Sequence, residues 1–429
     1  MTTTTAEPPT PFPFDAVIFD LDGTLVATER FWVAAANVGA RRAFSELGIE
    51  RAMPTPEQWL SMVGLELARG FELVFADLTP EQRKRIMECC EEEESLALRA
   101  GGAALLPGAL DTLRELKHLG VRTGIASNCG ANYLEHMLRA LPLGELIDEP
   151  RCLDSPRVHS KADMVGDLLA AFGTRSAVMV GDRHTDAEAA HAHGVPHVHL
   201  ALGFAPRGEL IEAEARIASL VELLPRLRRR TAWIEAALTQ LAFLRGGSTV
   251  RGGPSTLGIT GGEASGKTLF ARDVARLVEA RGRPAVVVAL EEYRRPGAPS
   301  PAASTNVLEH VAERFDFERL IDELLVPHRA GVPGRRASGE PVAPASLVVL
   351  EGPFLLHPRL RLALDRVLHL DVDEKLALGR IAARDGADAV VEFRRGSLPR
   401  QLEFLAAFPP ASRADLSLDA SNPLGPEPA

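Results

Sequence analysis

Cysteine is scarce. The chain of 429 residues has four, and two of them, Cys89 and Cys90, are adjacent and badly placed to bridge each other. That excludes a small disulfide scaffold and fits a reducing cytoplasm, the expected location. No uninterrupted apolar run approaches the roughly 18 residues that suggest a transmembrane helix, so no membrane partner is expected. Basic charge is in deficit. Lys and Arg total 48 against 58 Asp and Glu, a formal net charge of −10. Without excess cations to displace counterions, general nucleic-acid binding is excluded. The opening MTTTTAEPPTPFPF lacks a basic n-region and an apolar h-region, so it does not read as a secretory signal. What is present is the composition of a globular protein, 46% hydrophobic and 25% charged. At roughly 150 residues per domain, the length suggests about two or three domains.

Short apolar runs at 16–19, 123–126 and 177–180 read as strands, each followed by polar residues and then helical periodicity. Strands alternating with helices imply βαβ units and a parallel sheet. A helical stretch at 31–98 is longer than one crossover needs and reads as an inserted subdomain. The Gly/Ser/Pro cluster between Gly246 and Ser255 is the best domain boundary. Strands at 257–260, 285–290, 347–350 and 367–370 then define a second α/β domain. The expected organisation is a disordered tail at 1–13, a first domain at 14–227, a helix and linker at 228–254, a second domain at 255–422 and a loose tail at 423–429.

The segment Phe19-Asp20-Leu21-Asp22-Gly23-Thr24-Leu25 follows the first strand. Two carboxylates two residues apart at a strand end can project into one pocket, and ligands of open α/β sheets sit beyond the strands' C-terminal ends. Asp-Gly alone marks an ordinary turn. Ser127-Asn128 ends the next strand, Lys161 stands at a helix start, and Gly181-Asp182-Arg183-His184-Thr185-Asp186 ends the strand at 177–180. Asp-x-Asp-Gly-Thr, Ser, Lys and Gly-Asp-x-x-x-Asp in that order resemble the haloacid-dehalogenase-like phosphohydrolases, and most the phosphoglycolate-phosphatase-like branch. LLPGALDTLRELKHLGVRTGIASN and ARIASLVELLPRL are similar to further phrases of that branch.

A phosphate monoester is dianionic and repels a carboxylate nucleophile, and a Mg²⁺ ion and a lysine offset that repulsion. The resemblance implies that Asp20 attacks phosphorus and forms an aspartyl-phosphate. Asp22 protonates the leaving oxygen and later activates water. Asp20, the backbone carbonyl of Asp22, and Asp182 hold Mg²⁺, with Asp186 behind them. Ser127 and Lys161 bind the phosphoryl oxygens, and Asn128 is their neighbour. It also implies that 28–100 is a helical cap, which closes over a small phosphate ester and excludes water. Trp32, Phe71 and Phe75 are expected as cap core. His184, His191, His193, His197 and His199 are expected to be solvated or locally capped, since His191 and His193 do not share a helix face. Cys129 is expected as a small buried thiol.

The second domain opens on Gly261, Gly262, Glu263, Ala264, Ser265, Gly266, Lys267 and Thr268, a GxxxxGKT loop between a strand and a helix. Backbone N–H groups of such a loop wrap phosphate oxygens at a helix N-terminus. Lys267 then neutralises the β/γ-phosphates of ATP and Thr268 holds Mg²⁺. The phrases VVVALEEYRRP, RFDFERLIDELL, LVVLEGPFLLHPRLRLALDRVLHLDVD, GRIAARD and FRRGSLPRQLEF resemble the uridine-kinase-like branch of P-loop kinases. That family usually places an Asp base before an aromatic residue at the end of its second strand. Here Glu291 and Glu292 precede Tyr293, so a carboxylate is kept but is one methylene longer. Glu291 is the implied base, Glu351 an implied Mg²⁺ or water ligand, and Arg380 and Arg384 resemble lid arginines on donor phosphates.

The expected fold class is α/β: two parallel-sheet, three-layer domains, the first a haloacid-dehalogenase-like Rossmannoid with a helical cap, the second a P-loop nucleoside-kinase-like domain. The leading function is a bifunctional enzyme, a phosphomonoester hydrolase joined to an ATP-dependent kinase for a small hydroxyl acceptor. The alternative keeps the hydrolase and makes the second domain a nucleotide-binding regulatory module. A scaffold with a degenerate phosphatase half is disfavoured, because Asp20, Asp22, Lys161 and Asp182 are all present. Oligomeric state is left open.

Overall fold

The computed structural model describes residues 10–245, 248–249, 254–297 and 306–426. These fall into two compact units, Phe14–Leu227 and one holding the described parts of 1–13 and 228–429. No helix among the described residues is long and apolar enough to cross a membrane.

The first unit is built on six parallel strands: β1 (Ala16–Phe19), β2 (Arg122–Ser127), β3 (Glu149–Cys152), β4 (Ala177–Gly181), β5 (His197–Leu200) and β6 (Ala215–Ile217). Their order is β3-β2-β1-β4-β5-β6. β1 and β4 are buried along their whole length, as expected for central strands of a parallel sheet covered on both faces. One face packs Ile18, Ala126 and Met179 against Met164, Val165 and Leu168 of a following helix. The chain lays β2 and β3 on one side of β1 and β4 to β6 on the other. The C-terminal ends of β1 and β4 therefore flank the topological switch point, where such sheets bind ligands.

Four helices rise from the β1–β2 connection: α1 (Trp32–Leu47), α2 (Pro56–Ser61), α3 (Leu67–Val74) and α4 (Pro80–Arg99). Thr55 with Gln58 and Thr79 with Gln82 form capping boxes, each followed by a first-turn proline, so two orphan donors are satisfied at each start. Gly39 of α1 lies against the backbone of Cys89 and Cys90, and an added Cβ would meet it at 2.6 Å. Phe71 and Phe75 stack at 5.9 Å beneath Trp59. The remaining helices of this unit are α5 (Ala109–His118), α6 (Ala131–Ala140), α7 (Lys161–Phe172) and α8 (His184–His191).

The second unit has five parallel strands in the order Ala285–Ala289, Leu347–Glu351, Ser255–Gly261, Arg366–Asp371, Leu416–Asp419. Successive residues of Leu347–Glu351 feed two separate cores, Val348 and Leu350 one, Leu347 and Val349 the other. That is the period of two expected of a strand between two apolar layers.

Two expectations are corrected. The helix expected within 228–254 starts earlier, as α9 (Leu223–Gln240), and belongs to a core, because Ile234, Ala237 and Leu238 pack on Leu257, Ile259 and Phe270. The boundary cluster at 246–247 and 250–253 lies outside the described residues, as do 1–9 and 427–429. The described parts of both tails are tied down. Thr231 Oγ1 donates to the Pro11 carbonyl at 3.1 Å, Arg230 donates to the Pro423 carbonyl, and Leu424 is fully buried.

Candidate active site

Asp20 is the first residue past β1. Its N–H donates to the Val180 carbonyl at 2.9 Å, which extends the ladder one step and fixes Asp20 over β4. Ser160 caps α7, its Oγ accepting from Asp163 N at 3.1 Å. Lys161 thus becomes the first helical residue, and its ammonium turns inward, 2.9 Å from Asp20 Oδ1 and 2.7 Å from Asp186 Oδ1. All three side chains are buried. Asp186 Oδ2 also accepts the N–H of Arg183 at 2.9 Å. Asp182 accepts from Phe204 N at 2.5 Å and from Thr24 Oγ1 at 3.4 Å.

Gly23 shows why the Asp-Gly pair is more than a turn here. Its φ is +78°, and an added Cβ would stand 2.7 Å from Asp182 Oδ2. Only glycine accepts that backbone and that proximity cheaply.

Asp20, Asp182 and Asp186 bring carboxylate oxygens within 4.8 Å of one another. Burial drives the Asp20 carboxyl up to about 7 despite the opposing pull of Lys161. Asp182 is pushed well above the usual range by burial and then by the Asp20 charge. Burial alone would lower the Lys161 pKa, but Asp186 and Asp20 outweigh it and hold the group charged. Asp20 Oδ2 is buried without a hydrogen-bond partner. One lysine against three carboxylates leaves negative charge uncompensated. An all-oxygen donor set with an orphaned buried oxygen fits a hard divalent cation such as Mg²⁺.

Asp22 stands apart from that trio. Its Oδ1 accepts from Thr28 Oγ1 at 2.6 Å and from Tyr133 OH at 2.5 Å. Burial raises its pKa, so it holds a proton more readily than a free aspartate. Sequence reasoning did not find Thr28 or Tyr133. Thr28 sits on the 3₁₀ turn leading into the cap and Tyr133 on α6, and neither carries a motif.

A cavity of about 830 Å³ opens between cap and sheet, lined by Asp22, Ser127, Asn128, Cys129 and Tyr133 below and by Trp32, Met62, Gly64, Glu91 and Glu94 above. Trp32 both packs edge-on against Trp59 and lines this space, whereas Phe71 and Phe75 are cap core only. Asn128 donates to the Gly64 carbonyl of the cap at 3.0 Å. Arg183, also missed, is buried, pairs with Glu209 at 3.1 Å, and donates to the Ser61 and Val63 carbonyls. Cys129 is half-buried, and burial pushes its thiol well up, away from a reactive thiolate.

The histidines are not solvated as a group. His197 and His199 are buried on β5, and burial lowers both, His199 to about 4. His191 pairs with Glu214 at 3.1 Å and His184 with Glu209 at 2.7 Å, while His193 meets the Ala162 carbonyl at 2.8 Å.

In the second unit the glycine-rich loop joins the central strand Ser255–Gly261 to α10 (Lys267–Glu279). Ala264 and Gly266 take φ of +57° and +82°, which folds the loop back on itself. Lys267 Nζ donates to the Gly262 carbonyl at 2.6 Å, and Thr268 Oγ1 donates to Glu351 Oε1 at 3.1 Å. Gln401, unremarked in the sequence, accepts from Glu263 N at 3.1 Å. Arg384 pairs with Glu263 at 2.8 Å and with Asp385. Arg380 donates to the Ala264 and Ser421 carbonyls. Glu291 is half-exposed, 3.5 Å from Arg314, and Glu292 pairs instead with Arg336 at 2.7 Å. Burial raises Glu351 and lowers Lys267.

The first unit is thus a doubly wound α/β sheet with acid groups and a lysine gathered at its switch point. Residues 17–200 match the haloacid dehalogenase-like hydrolase family. A phosphoglycolate phosphatase of Caulobacter vibrioides is 31% identical over 196 residues, which span 44% of this chain and 79% of that protein. One from Synechococcus elongatus is 30% identical over 200 residues, 46% of this chain and 89% of that protein. The chain belongs to the haloacid dehalogenase-like hydrolase family through its first unit. A crystal structure from Haemophilus somnus 129pt, described as a predicted phosphoglycolate phosphatase, superposes with a TM-score of 0.44 at 21% identity, covering 50% of this chain and 97% of that one.

Proposed function

We propose that the first unit is a Mg²⁺-dependent phosphomonoester hydrolase with Asp20 as nucleophile. The observation that carries this reading is the Lys161 ammonium bridging Asp20 and Asp186 while Asp20 Oδ2 stays unpartnered. With one oxygen held, the other is free to attack phosphorus, forming an O–P bond as the ester P–O bond breaks. Lys161 and Ser127 hold the phosphoryl oxygens. Asp22, kept protonated more readily by burial, delivers its proton to the leaving alcohol and then takes one from water attacking the aspartyl-phosphate. Asp20, the backbone carbonyl of Asp22 and Asp182 would hold Mg²⁺, with Asp186 behind them, and the ion would supply charge neutralisation for the incoming dianion. The relatives named phosphoglycolate phosphatase support a small phosphate ester as substrate. The test is phosphate release from a panel of small monoesters. Asp20→Asn should abolish it, and wild-type rates in that variant would refute the nucleophile.

For the second unit we propose ATP binding at Gly261–Thr268 and phosphoryl transfer to a small hydroxyl compound, a nucleoside or sugar. The chain would then be a bifunctional cytoplasmic enzyme. The hydrogen bond from Thr268 to Glu351 supports a Mg²⁺ position beside the loop. Glu291 is the acceptor base in this reading. Its exposure and its Arg314 partner favour a second reading, a nucleotide-binding regulatory module without turnover. ATP consumption with nucleosides and sugars separates the two: turnover supports the kinase, and binding without turnover supports the module.

A further inference from the structure

The cavity over Asp22 has an unusual charge for a pocket that takes a dianionic ester. Its cap wall is α4, whose Glu88, Glu91, Glu92 and Glu94 line the cavity, Glu91 and Glu92 being exposed and Glu88 and Glu94 half-buried. Glu88 and Glu92 have cation partners in Arg85 and Arg42. Glu91 and Glu94 have none among the described residues. Burial, then the charges of Asp22 and Glu91, push the Glu94 carboxyl up to about 8, the behaviour of an acid group short of a cation. Trp32 and Tyr133 line the same space, and aromatic faces next to carboxylates are the surroundings that ammonium groups favour. Two basic side chains line the cavity: Arg99, exposed at the last residue of α4 and about 7.5 Å along the helix axis from Glu94, and His136, whose Nε2 is buried without a hydrogen-bond partner.

We infer that the alcohol portion of the substrate carries a cationic nitrogen, so that the enzyme acts on amino-alcohol phosphates and disfavours esters bearing a carboxylate. This rests on the phosphatase reading above. The phosphoryl end binds at Asp20 and Lys161 on the floor. The leaving group then points toward the cap, where Glu94 and Glu91 face it. A carboxylate placed there adds a further acid group beside Glu91 and Glu94, with Arg99 and His136 the only basic side chains among the lining residues, whereas an ammonium gives Glu94 the partner that lets it ionise. The relatives' phosphoglycolate carries a carboxylate in that portion, so the walls of this cavity favour a different leaving group from the one those names imply.

The test uses the full-length protein with Mg²⁺ and four esters: O-phosphoethanolamine, phosphocholine, glycerol 2-phosphate and 2-phosphoglycolate, with p-nitrophenyl phosphate as a charge-neutral control. The expected result is a kcat/KM for the better cationic ester at least about tenfold above those for glycerol 2-phosphate and 2-phosphoglycolate. Glu94→Gln, and separately Glu91→Gln in case the first variant folds poorly, should bring the ratio of kcat/KM for the cationic ester to that for glycerol 2-phosphate down toward one. Equal or better turnover of 2-phosphoglycolate or glycerol 2-phosphate overturns the inference and leaves the phosphatase standing. A preference that survives both substitutions overturns it as well. Absence of Asp20-dependent release from every ester, the control included, overturns the phosphatase reading and the inference with it.

Discussion

Lys161 Nζ lies 2.9 Å from Asp20 Oδ1, although 141 positions separate them in the chain. β1 delivers the acid and a capped helix start delivers the base, both buried. The pair is surrounded by further carboxylates, so the lysine carries more neutralisation than one partner requires.

Removing that cation should therefore be felt in the fold. Lys161→Met leaves Asp20 and Asp186 buried together without a counter-charge, and breaking such a buried pair costs about 3–5 kcal/mol. Urea unfolding should show this loss without Mg²⁺. Added Mg²⁺ should restore part of it, and should raise the midpoint of wild type more than that of Asp182→Asn. Equal unfolding midpoints for Lys161→Met and wild type would contradict the buried ion pair.

Asn128 and Arg183 each follow a site residue directly and each hold the cap loop at 61–64. Cap position is thus linked to Ser127 and Asp182 through chain neighbours. Asn128→Ala removes one such hydrogen bond, worth about 1 kcal/mol, and should lower kcat/KM by about fivefold. Hydrogen exchange at 61–64 should rise in parallel. Unchanged exchange in both Asn128→Ala and Arg183→Met would show that the loop is held by other contacts.

His199 supplies a pH signature. Burial lowers its folded pKa from 6.5 to about 4. Its contribution is present above pH 6.5. Below that the unfolded chain takes up a proton that the folded protein refuses, so stability is lost as pH falls toward about 4. Unfolding midpoints measured across this window should fall less steeply in His199→Gln. Parallel profiles for the two proteins would remove His199 as the cause.

Lys267 is buried with its ammonium on the Gly262 carbonyl, and burial lowers its pKa. A phosphate brought to the loop restores the missing charge partner. ATP with Mg²⁺ should raise the thermal midpoint of wild type, and Lys267→Ala should abolish the rise and leave Asp20-dependent phosphate release intact. Undiminished ATP affinity in Lys267→Ala would show that the loop does not grip phosphate.

Asp20, Asp182 and Lys161 were legible because each belongs to a strand end or a capped helix start, where short patterns have one structural meaning. β3, β5 and β6 were not. β3 contains Pro150, β5 alternates His with apolar residues, and β6 is three residues long. Strands this short form because a neighbouring strand supplies the hydrogen bonds, and propensity does not record that. The tail at 423–426 was misread for a related reason, since its burial depends on Arg230 and on Trp233, which Gly425 packs against.

By itself the amino-acid order determined the α/β alternation, the insertion of a helical cap, the carboxylate pair after β1 and the glycine-rich loop, because these depend on local periodicity and on neighbours within a few residues. Tertiary structure alone decided that Tyr133 and Thr28 hold Asp22, that Arg183 fastens the cap, and that Glu91 and Glu94 line the cavity with no ion-pair partner among the described residues. A helix has many faces of similar composition, and only packing against the rest of the unit selects which one meets the site.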